Sequence, residues 1–195
     1  MRTFKFTLAS LAAVALLSAP LFAAPSGVKF KGQAKFVSDA PMEKINGTGS
    51  AEGGVQFDPD APAKVSGKIT VPLSSMETGN KKRDEHLRGA QWLEADKCPD
   101  ISFEFKGAKL LDKKTKGDMT AFKLEVQGQF TVHCVTKPLK TVVNLKTKGP
   151  LVKVTSKFPV TLKDHAIKGK DGIMGSKVGN TVEASVRLKG KMGRK

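Results

Sequence analysis

Histidine is the residue type in this chain with the widest range of chemistry, because it can bind metal ions or transfer protons. The three histidines, His86, His133 and His165, lie far apart in the sequence, without the short spacing of metal-ligand pairs such as His-Glu-x-x-His. The sequence also contains no Gly-x-Ser-x-Gly element and no glycine-rich phosphate-binding loop. We therefore predict no metal site, no cofactor and no enzymatic activity.

The most specific charged string is Arg-Asp-Glu-His-Leu-Arg at residues 83–88, within a helix-prone stretch at residues 81–97. It has two interpretations. Arg83 and His86 could contact the polar head group of a ligand, since guanidinium groups bind oxygen atoms well. Alternatively, the string is structural: Asp84 complements the helix dipole, and the arginines pair with carboxylates to hold the helix in place.

The rest of the chain alternates apolar and polar residues, which is the period of a strand with one buried face. Eight segments show this alternation, at residues 28–36, 49–57, 65–73, 101–111, 122–134, 139–147, 152–162 and 182–188. With only one short helical segment to cover their apolar faces, the strands must close into a barrel or a flattened sandwich. We predict an all-β fold, an eight-stranded antiparallel barrel with a short helical insert between the third and fourth strands.

The inward face of these strands is almost wholly apolar. The residues predicted to line one long interior cavity are Phe30, Phe57, Ile69, Phe103, Phe105, Leu124, Phe130, Val154, Phe158 and Val186. Glycines such as Gly32 and Gly128 fall on the same face, where they leave volume unfilled and favour a cavity. The alternative is that glycine lets the strands of a barrel bend.

The N-terminus has the features of a secretory signal peptide. Arg2 and Lys5 form a basic start, residues 8–17 are an uncharged apolar run, and Ala23 and Ala24 are small residues at the expected cleavage point. We predict removal of residues 1–23, which leaves residues 24–195 as a single domain in the periplasm or outside the cell.

The chain is strongly basic. Removal of Arg2 and Lys5 lowers the formal net charge from +16 to +14. Lysines such as Lys29 and Lys31 alternate with apolar residues, so the charge is spread over the outer face of the strands. We expect a solvated surface with weak electrostatic contact to anionic envelope components, and no nucleic-acid binding.

Five stretches, in the same order, resemble the YceI-like family of secreted polyisoprenoid-binding proteins. They are residues 75–79, residues 83–88, residues 96–103, residues 130–138 and, more weakly, residues 164–167. The resemblance implies a lipocalin-like barrel whose elongated apolar interior holds an isoprenoid lipid of the polyprenyl or quinone type. The sequence departs from the family at Trp92 and Leu93, where two phenylalanines are usual. We expect Trp92 and Leu93 to close the barrel end.

Three function hypotheses follow. The first is a periplasmic or secreted carrier or buffer of an isoprenoid lipid, with Arg83 and His86 facing its quinone carbonyl or phosphate. The second is an envelope-associated module that binds anionic lipids or glycans through its lysine-rich exterior. The third, a secreted hydrolase or oxidoreductase, lacks the inward polar groups that it would need. Whether the protein is a monomer or a dimer stays open.

The two cysteines, Cys98 and Cys134, are predicted to form a disulfide, because export places them in an oxidising compartment. Pairing Phe103 with Phe130 aligns the apolar faces of the fourth and fifth strands and places Cys134 opposite Pro99. Strict alternation would turn Cys98 to the wrong face, but a proline at a strand start permits a break in the alternation. Both cysteines also replace other residues of the resembling family.

Overall fold

The computed structural model describes residues 26–39, 44–58, 60–167 and 180–193. The predicted signal peptide at residues 1–23 lies outside the described residues, as do residues 168–179 between β7 and β8. No helix within the described ranges is long and apolar enough to cross a membrane.

The described chain forms a closed barrel in which each strand pairs antiparallel with its sequence neighbours and β1 pairs with β8. The strands are β1 (Ser26–Asp39), β2 (Lys44–Phe57), β3 (Ser66–Pro72), β4 (Asp100–Lys116), β5 (Met119–Val132), β6 (Val135–Lys148), β7 (Leu151–Thr161) and β8 (Thr181–Met192). Between β3 and β4 lie a 3-10 helix (Leu73–Ser75) and α1 (Lys81–Arg88); a second 3-10 helix (Leu162–His165) follows β7. The predicted fold class is confirmed.

The alternation of residue types produces the alternation of burial. In β6, Val143, Leu145 and Thr147 are buried, while Asn144 and Lys146 between them are exposed. Successive side chains of a strand point to opposite faces, so one face of each strand packs inside the barrel and the other meets solvent.

The pairing of β4 with β5 follows the predicted register from Ser102 to Phe105, with Phe103 opposite Phe130, and shifts at two irregularities further along the hairpin. The hairpin is longer than predicted, since β4 continues to Lys116 and the chain turns at Gly117, where φ is 57°. The next turn is formed by His133 and Cys134, with φ values of 51° and 56°. Cys134 therefore lies in a two-residue turn with positive φ at both positions, beyond the end of the strand in which we expected it.

The helical insert is shorter than the predicted residues 81–97. The side chain of Asn80 accepts a hydrogen bond from the Arg83 backbone N–H at 3.1 Å and caps the start of α1. Gly89 ends the helix, and its N–H donates to the His86 carbonyl oxygen. The chain then turns repeatedly, with a positive φ at Glu94, because Leu93 packs into the barrel core instead of continuing the helix.

The barrel wall is incomplete between β6 and β7. These strands pair only from Val143 to Lys148 and from Leu151 to Ser156. Pro138 and Pro159 lie in the parts of β6 and β7 that do not pair with each other, which agrees with the usual restriction of proline to strand edges. At the rim of this gap, the His165 Nδ1–H donates to the Val135 carbonyl oxygen at 3.1 Å.

Candidate ligand-binding cavity

A cavity of about 830 Å³ occupies one half of the barrel. We call this half the insert end, because α1 and both 3-10 helices lie there; we call the other half the packed end. Seven of the ten predicted lining residues line the cavity: Ile69, Phe103, Phe105, Phe130, Val154, Phe158 and Val186. The volume lies within the range of about 300–1,000 Å³ that is typical of small-molecule sites.

The other three predicted lining residues, Phe30, Phe57 and Leu124, do not line the cavity but belong to the packed end. All three are buried, and the Phe57 ring packs edge-on against Phe122 with centroids 6.0 Å apart. A strand such as β1 therefore contributes core packing at one end, through Phe30, and cavity wall at the other, through Phe36. Alternation alone does not distinguish the two. The cavity is shorter than the one that we expected to run through the whole barrel.

The inward glycines do not create the cavity. A Cβ atom at Gly128 would clash with the Glu104 carbonyl oxygen and, at 2.6 Å, with the Phe103 ring. A Cβ at Gly32 would clash with the Arg187 carbonyl oxygen. The backbones of adjacent strands approach too closely at these positions for any side chain, so these glycines allow the strands to bend.

The helical insert covers part of the cavity at the insert end. Arg83, His86 and Leu87 of α1 line the cavity, and so do Trp92 and Leu93 in the turns that follow. Arg83 is half-buried and His86 is exposed, so the cavity reaches the protein surface beside α1. Both candidate head-group residues thus lie where a polar group could remain near water while an apolar chain occupies the interior.

Asp84, on the same helix, has a structural role. Its carboxylate accepts hydrogen bonds from the Thr78 backbone N–H at 2.7 Å and from the Thr78 hydroxyl at 2.6 Å. These bonds, helped by the positive charges of Arg88 and Arg83, hold the pKa of Asp84 below its usual value although burial opposes this. Arg88 donates to the Met76 carbonyl oxygen at 2.9 Å. The structural interpretation of the charged string therefore applies to Asp84 and Arg88, and the contact of Arg83 and His86 with a ligand stays a prediction.

A disulfide between Cys98 and Cys134 confirms the predicted pairing. Beside it, Glu94 forms an ion pair with Lys97 at 2.6 Å, and its other oxygen lies 3.6 Å from His133 Nε2. The hydrogen bond and charge of Lys97, with His133 nearby, hold the pKa of Glu94 below its usual value. The end of the insert is thus fixed to the β5–β6 turn covalently and by polar contacts.

The three histidines do not form a shared site. His133 Nδ1–H donates to the His165 carbonyl oxygen at 3.0 Å, and His165 packs edge-on against the Phe130 ring. His86 lies on α1 at the cavity wall. Within the described residues, there is no group of three or more histidine, cysteine or carboxylate side chains that could hold a metal ion.

The chain is similar in sequence to known proteins. The profile of the YceI-like domain matches residues 23–190. This chain belongs to the YceI-like family. A UPF0312 protein of Pseudomonas putida is 34% identical to this YceI-like chain over 179 residues, which cover 85% of the chain and 88% of that relative. Protein YceI of Salmonella newport is 30% identical over 98 residues, which cover 50% of the chain and 47% of that protein.

Solved structures with low sequence identity share the YceI-like barrel. BcnA of Burkholderia cenocepacia is 18% identical, with a TM-score of 0.68, covering 81% of this chain and 95% of that structure. A polyisoprenoid binding domain from Saccharophagus degradans, implicated in plant cell wall breakdown, is 12% identical with the same TM-score of 0.68, covering 87% and 99%. The predicted family and fold are therefore both confirmed.

The wall of the YceI-like cavity also includes polar residues that we did not predict from the sequence, among them Ser38, Thr141 and Ser156. A signal was present for two of them. Ser38 continues the inward register of β1 beyond Phe36, where we ended the predicted strand, and Ser156 interrupts the apolar inward register of β7. The sequence has no such signal at Thr141, because apolar and polar residues alternate only weakly in the part of β6 that contains it.

Proposed function

We propose that this YceI-like chain is a periplasmic or secreted binding protein that holds an isoprenoid lipid in its cavity and serves as its carrier or buffer. The lipid is of the polyprenyl or quinone type. The proposal assigns no reaction and no cofactor to the protein.

The observation that carries the proposal is the cavity of about 830 Å³ with an almost wholly apolar wall. An apolar chain buried there gains about 25 cal/mol for each Å² removed from water, whereas a polar substrate would find few partners. The wall combines aromatic rings, such as Phe103, Phe130 and Phe158, with aliphatic side chains. Such a wall suits a long branched hydrocarbon better than a compact polar metabolite.

Two further observations support the proposal. The Saccharophagus degradans neighbour, which has the same fold, is described as a polyisoprenoid binding domain. The Cys98–Cys134 disulfide agrees with export, because disulfides persist in oxidising compartments and are rare in the cytosol. The basic and apolar N-terminal segment is in keeping with that route.

Mass spectrometry of an organic extract tests the proposal. The full chain is expressed with its own N-terminus, purified from the exported fraction and extracted with solvent. We expect one class of isoprenoid lipid, at close to one molecule per chain. An exported protein of similar charge, taken through the same purification, controls for lipid that adheres to the surface. An extract with no isoprenoid above that control would contradict the proposal.

A second candidate function uses the exterior of the barrel. The outward lysines are exposed, as at Lys29, Lys31 and Lys153, and the formal net charge is +16. The protein would then adhere to anionic lipid or acidic glycan at the envelope. Because salt limits such forces to about 8 Å at physiological ionic strength, adhesion to anionic vesicles should weaken as salt increases. Adhesion that persists at high salt would contradict a diffuse electrostatic contact.

A further inference from the structure

Ser38 is a buried polar residue in the wall of the apolar cavity. It is the last buried inward residue of β1, with 2% of its surface exposed, and it lies between Ile45 of β2 and Val182 of β8. Its hydroxyl has no hydrogen-bond partner. In the part of the chain that the structure describes, no other buried side-chain nitrogen or oxygen lacks a partner.

Three other hydroxyl groups that line the same cavity have partners in the protein. The Thr78 hydroxyl donates to Asp84, and the Ser156 hydroxyl donates to the Val142 carbonyl oxygen at 2.8 Å. The hydroxyl of Thr141 lies 3.2 Å from that of Ser156. Because buried polar groups in proteins are nearly always paired, the free hydroxyl of Ser38 requires an explanation.

The position of Ser38 indicates what its partner is. On β1, the cavity wall runs from Ala34 through Phe36 to Ser38 at the insert end. A chain lying along this wall meets apolar side chains first and Ser38 last. The candidate head-group residues Arg83 and His86 line the cavity at this same end.

We propose that the Ser38 hydroxyl hydrogen-bonds an oxygen atom of the bound lipid and so selects oxygen-bearing isoprenoids over plain hydrocarbons. The inference rests on the proposed function and adds to it a residue that determines specificity and orientation. A serine hydroxyl both donates and accepts, so an alcohol or a carbonyl oxygen satisfies it. A hydrocarbon fills the cavity but leaves the hydroxyl without a partner, and sites of this kind reject ligands that lack the polar group. The lipid is held with its oxygen at the insert end and its hydrocarbon chain toward the packed end.

A pair of probes that differ only in the oxygen tests the inference. Geranylgeraniol and the hydrocarbon of the same chain without the hydroxyl are titrated into delipidated protein that holds an environment-sensitive apolar dye. The ratio of the two dissociation constants is measured for wild type, Ser38→Ala and Ser156→Ala. Ser156→Ala is the matched control, because Ser156 is also buried in the cavity wall but its hydroxyl is bonded within the protein.

Wild type is expected to bind the alcohol about tenfold more tightly than the hydrocarbon, equivalent to about 1.4 kcal/mol. Ser38→Ala should abolish this preference by weakening alcohol binding alone, and Ser156→Ala should retain it. Ser38→Ala should also leave the thermal unfolding of the unliganded protein unchanged or raise its midpoint, since no protein hydrogen bond is removed.

Three results would overturn the inference while leaving the proposed function intact. They are equal binding of both probes by wild type, an unchanged ratio in Ser38→Ala, and the same change of ratio in Ser156→Ala. A lower unfolding midpoint of unliganded Ser38→Ala would also overturn it, because the hydroxyl would then be engaged within the protein. If wild type binds neither probe, the proposed function fails together with the inference.

Discussion

Cys98 and Cys134 join the end of the helical insert to the β5–β6 turn, with their Cα atoms 5.4 Å apart. Cys134 has a φ of 56°, a left-handed conformation that is unfavourable for a residue with a side chain and is usual for glycine. The bond therefore fixes a strained turn on one side and, on the other, a segment that covers part of the cavity. Its loss should affect the insert more than the packed end.

Removing the disulfide should destabilise the protein without abolishing the barrel. The two cysteines lie 36 residues apart, and closing a loop of this length contributes roughly 3–4 kcal/mol in the chain-entropy model. The free energy of unfolding of the double variant Cys98→Ser/Cys134→Ser, measured by urea unfolding, should be lower than that of wild type by about this amount. Hydrogen exchange should increase in residues 89–97 before it increases in β2 or β8.

Reductant supplies the control for this experiment. It should lower the stability of wild type toward that of the double variant and leave the double variant unchanged. Thiol titration of the exported, denatured protein should find no free thiol before reduction. Two free thiols at that stage would contradict the presence of the bond in the exported protein.

The sequence predicted the barrel, the insert and the disulfide because each depends on local pattern or on register. The alternation of Val143, Leu145 and Thr147 gives a strand with one buried face whatever the other strands do. The register that pairs Phe103 with Phe130 follows from matching two apolar faces. Such features need little knowledge of distant parts of the chain.

The division of the interior into a packed end and a cavity could not be predicted in the same way. Phe30 and Phe158 have the same residue type and both face inward, yet Phe30 packs in the core and Phe158 lines the cavity. What separates them is which side chains meet across the barrel, a relationship between distant strands. The structural reason for glycine at position 128 could likewise not be predicted from the sequence, since it depends on how closely the Glu104 backbone approaches Gly128.

The carboxylate of Asp84 should stabilise the insert in a pH-dependent manner. Its pKa in the folded protein is below the usual value of 3.8, so its contribution is fully present above about pH 4 and is lost as pH falls through the lower folded pKa. Asp84→Asn should cost about 1 to 3 kcal/mol at neutral pH, because two hydrogen bonds to a charged group are weakened. Urea unfolding of wild type and Asp84→Asn at a series of acidic pH values measures the difference in their free energy of unfolding. This difference should become smaller below about pH 4.

Glu85→Gln is the control for Asp84→Asn, because Glu85 is an exposed neighbour on α1 and loses the same charge. It should change stability by less than about 0.5 kcal/mol, as surface substitutions usually do. A stability difference between wild type and Asp84→Asn that stays constant down to the lowest pH would show that the carboxylate charge is not responsible.

Filling the cavity should reduce lipid binding with little effect on folding. Ala184 lines the cavity between Phe36 of β1 and Phe158 of β7, so Ala184→Phe would place a ring in the space that we assign to the ligand. In a series of prenyl alcohols, wild-type affinity should rise with chain length, by about 0.8 kcal/mol per buried CH₂, until the cavity is full. The affinity of Ala184→Phe should stop rising at a shorter chain length, and displacement of a fluorescent probe measures these affinities.

The same substitution at Ala51 separates cavity filling from damage to the core. Ala51 is buried at the packed end and does not line the cavity, so Ala51→Phe should destabilise by about 1–3 kcal/mol through overpacking. Ala184→Phe should unfold close to wild type. Equal destabilisation by the two variants would show that the space beside Ala184 is not open. An affinity that stops rising at the wild-type chain length in Ala184→Phe would place the ligand outside this cavity.

Arg83 should favour lipids with an anionic head group. Arg83 is half-buried on α1 at the cavity wall, and charge-assisted hydrogen bonds to phosphate are stronger than bonds to a neutral oxygen. Arg83→Gln should weaken binding of a prenyl phosphate about tenfold at low salt, equivalent to about 1.4 kcal/mol, and change binding of the matching alcohol little. Lys82→Gln removes the same charge from an exposed position outside the cavity wall and should have little effect. Titration of both probes into wild type, Arg83→Gln and Lys82→Gln measures these affinities. An equal loss of affinity for the prenyl phosphate in the two variants would instead indicate the diffuse electrostatic field of the basic surface.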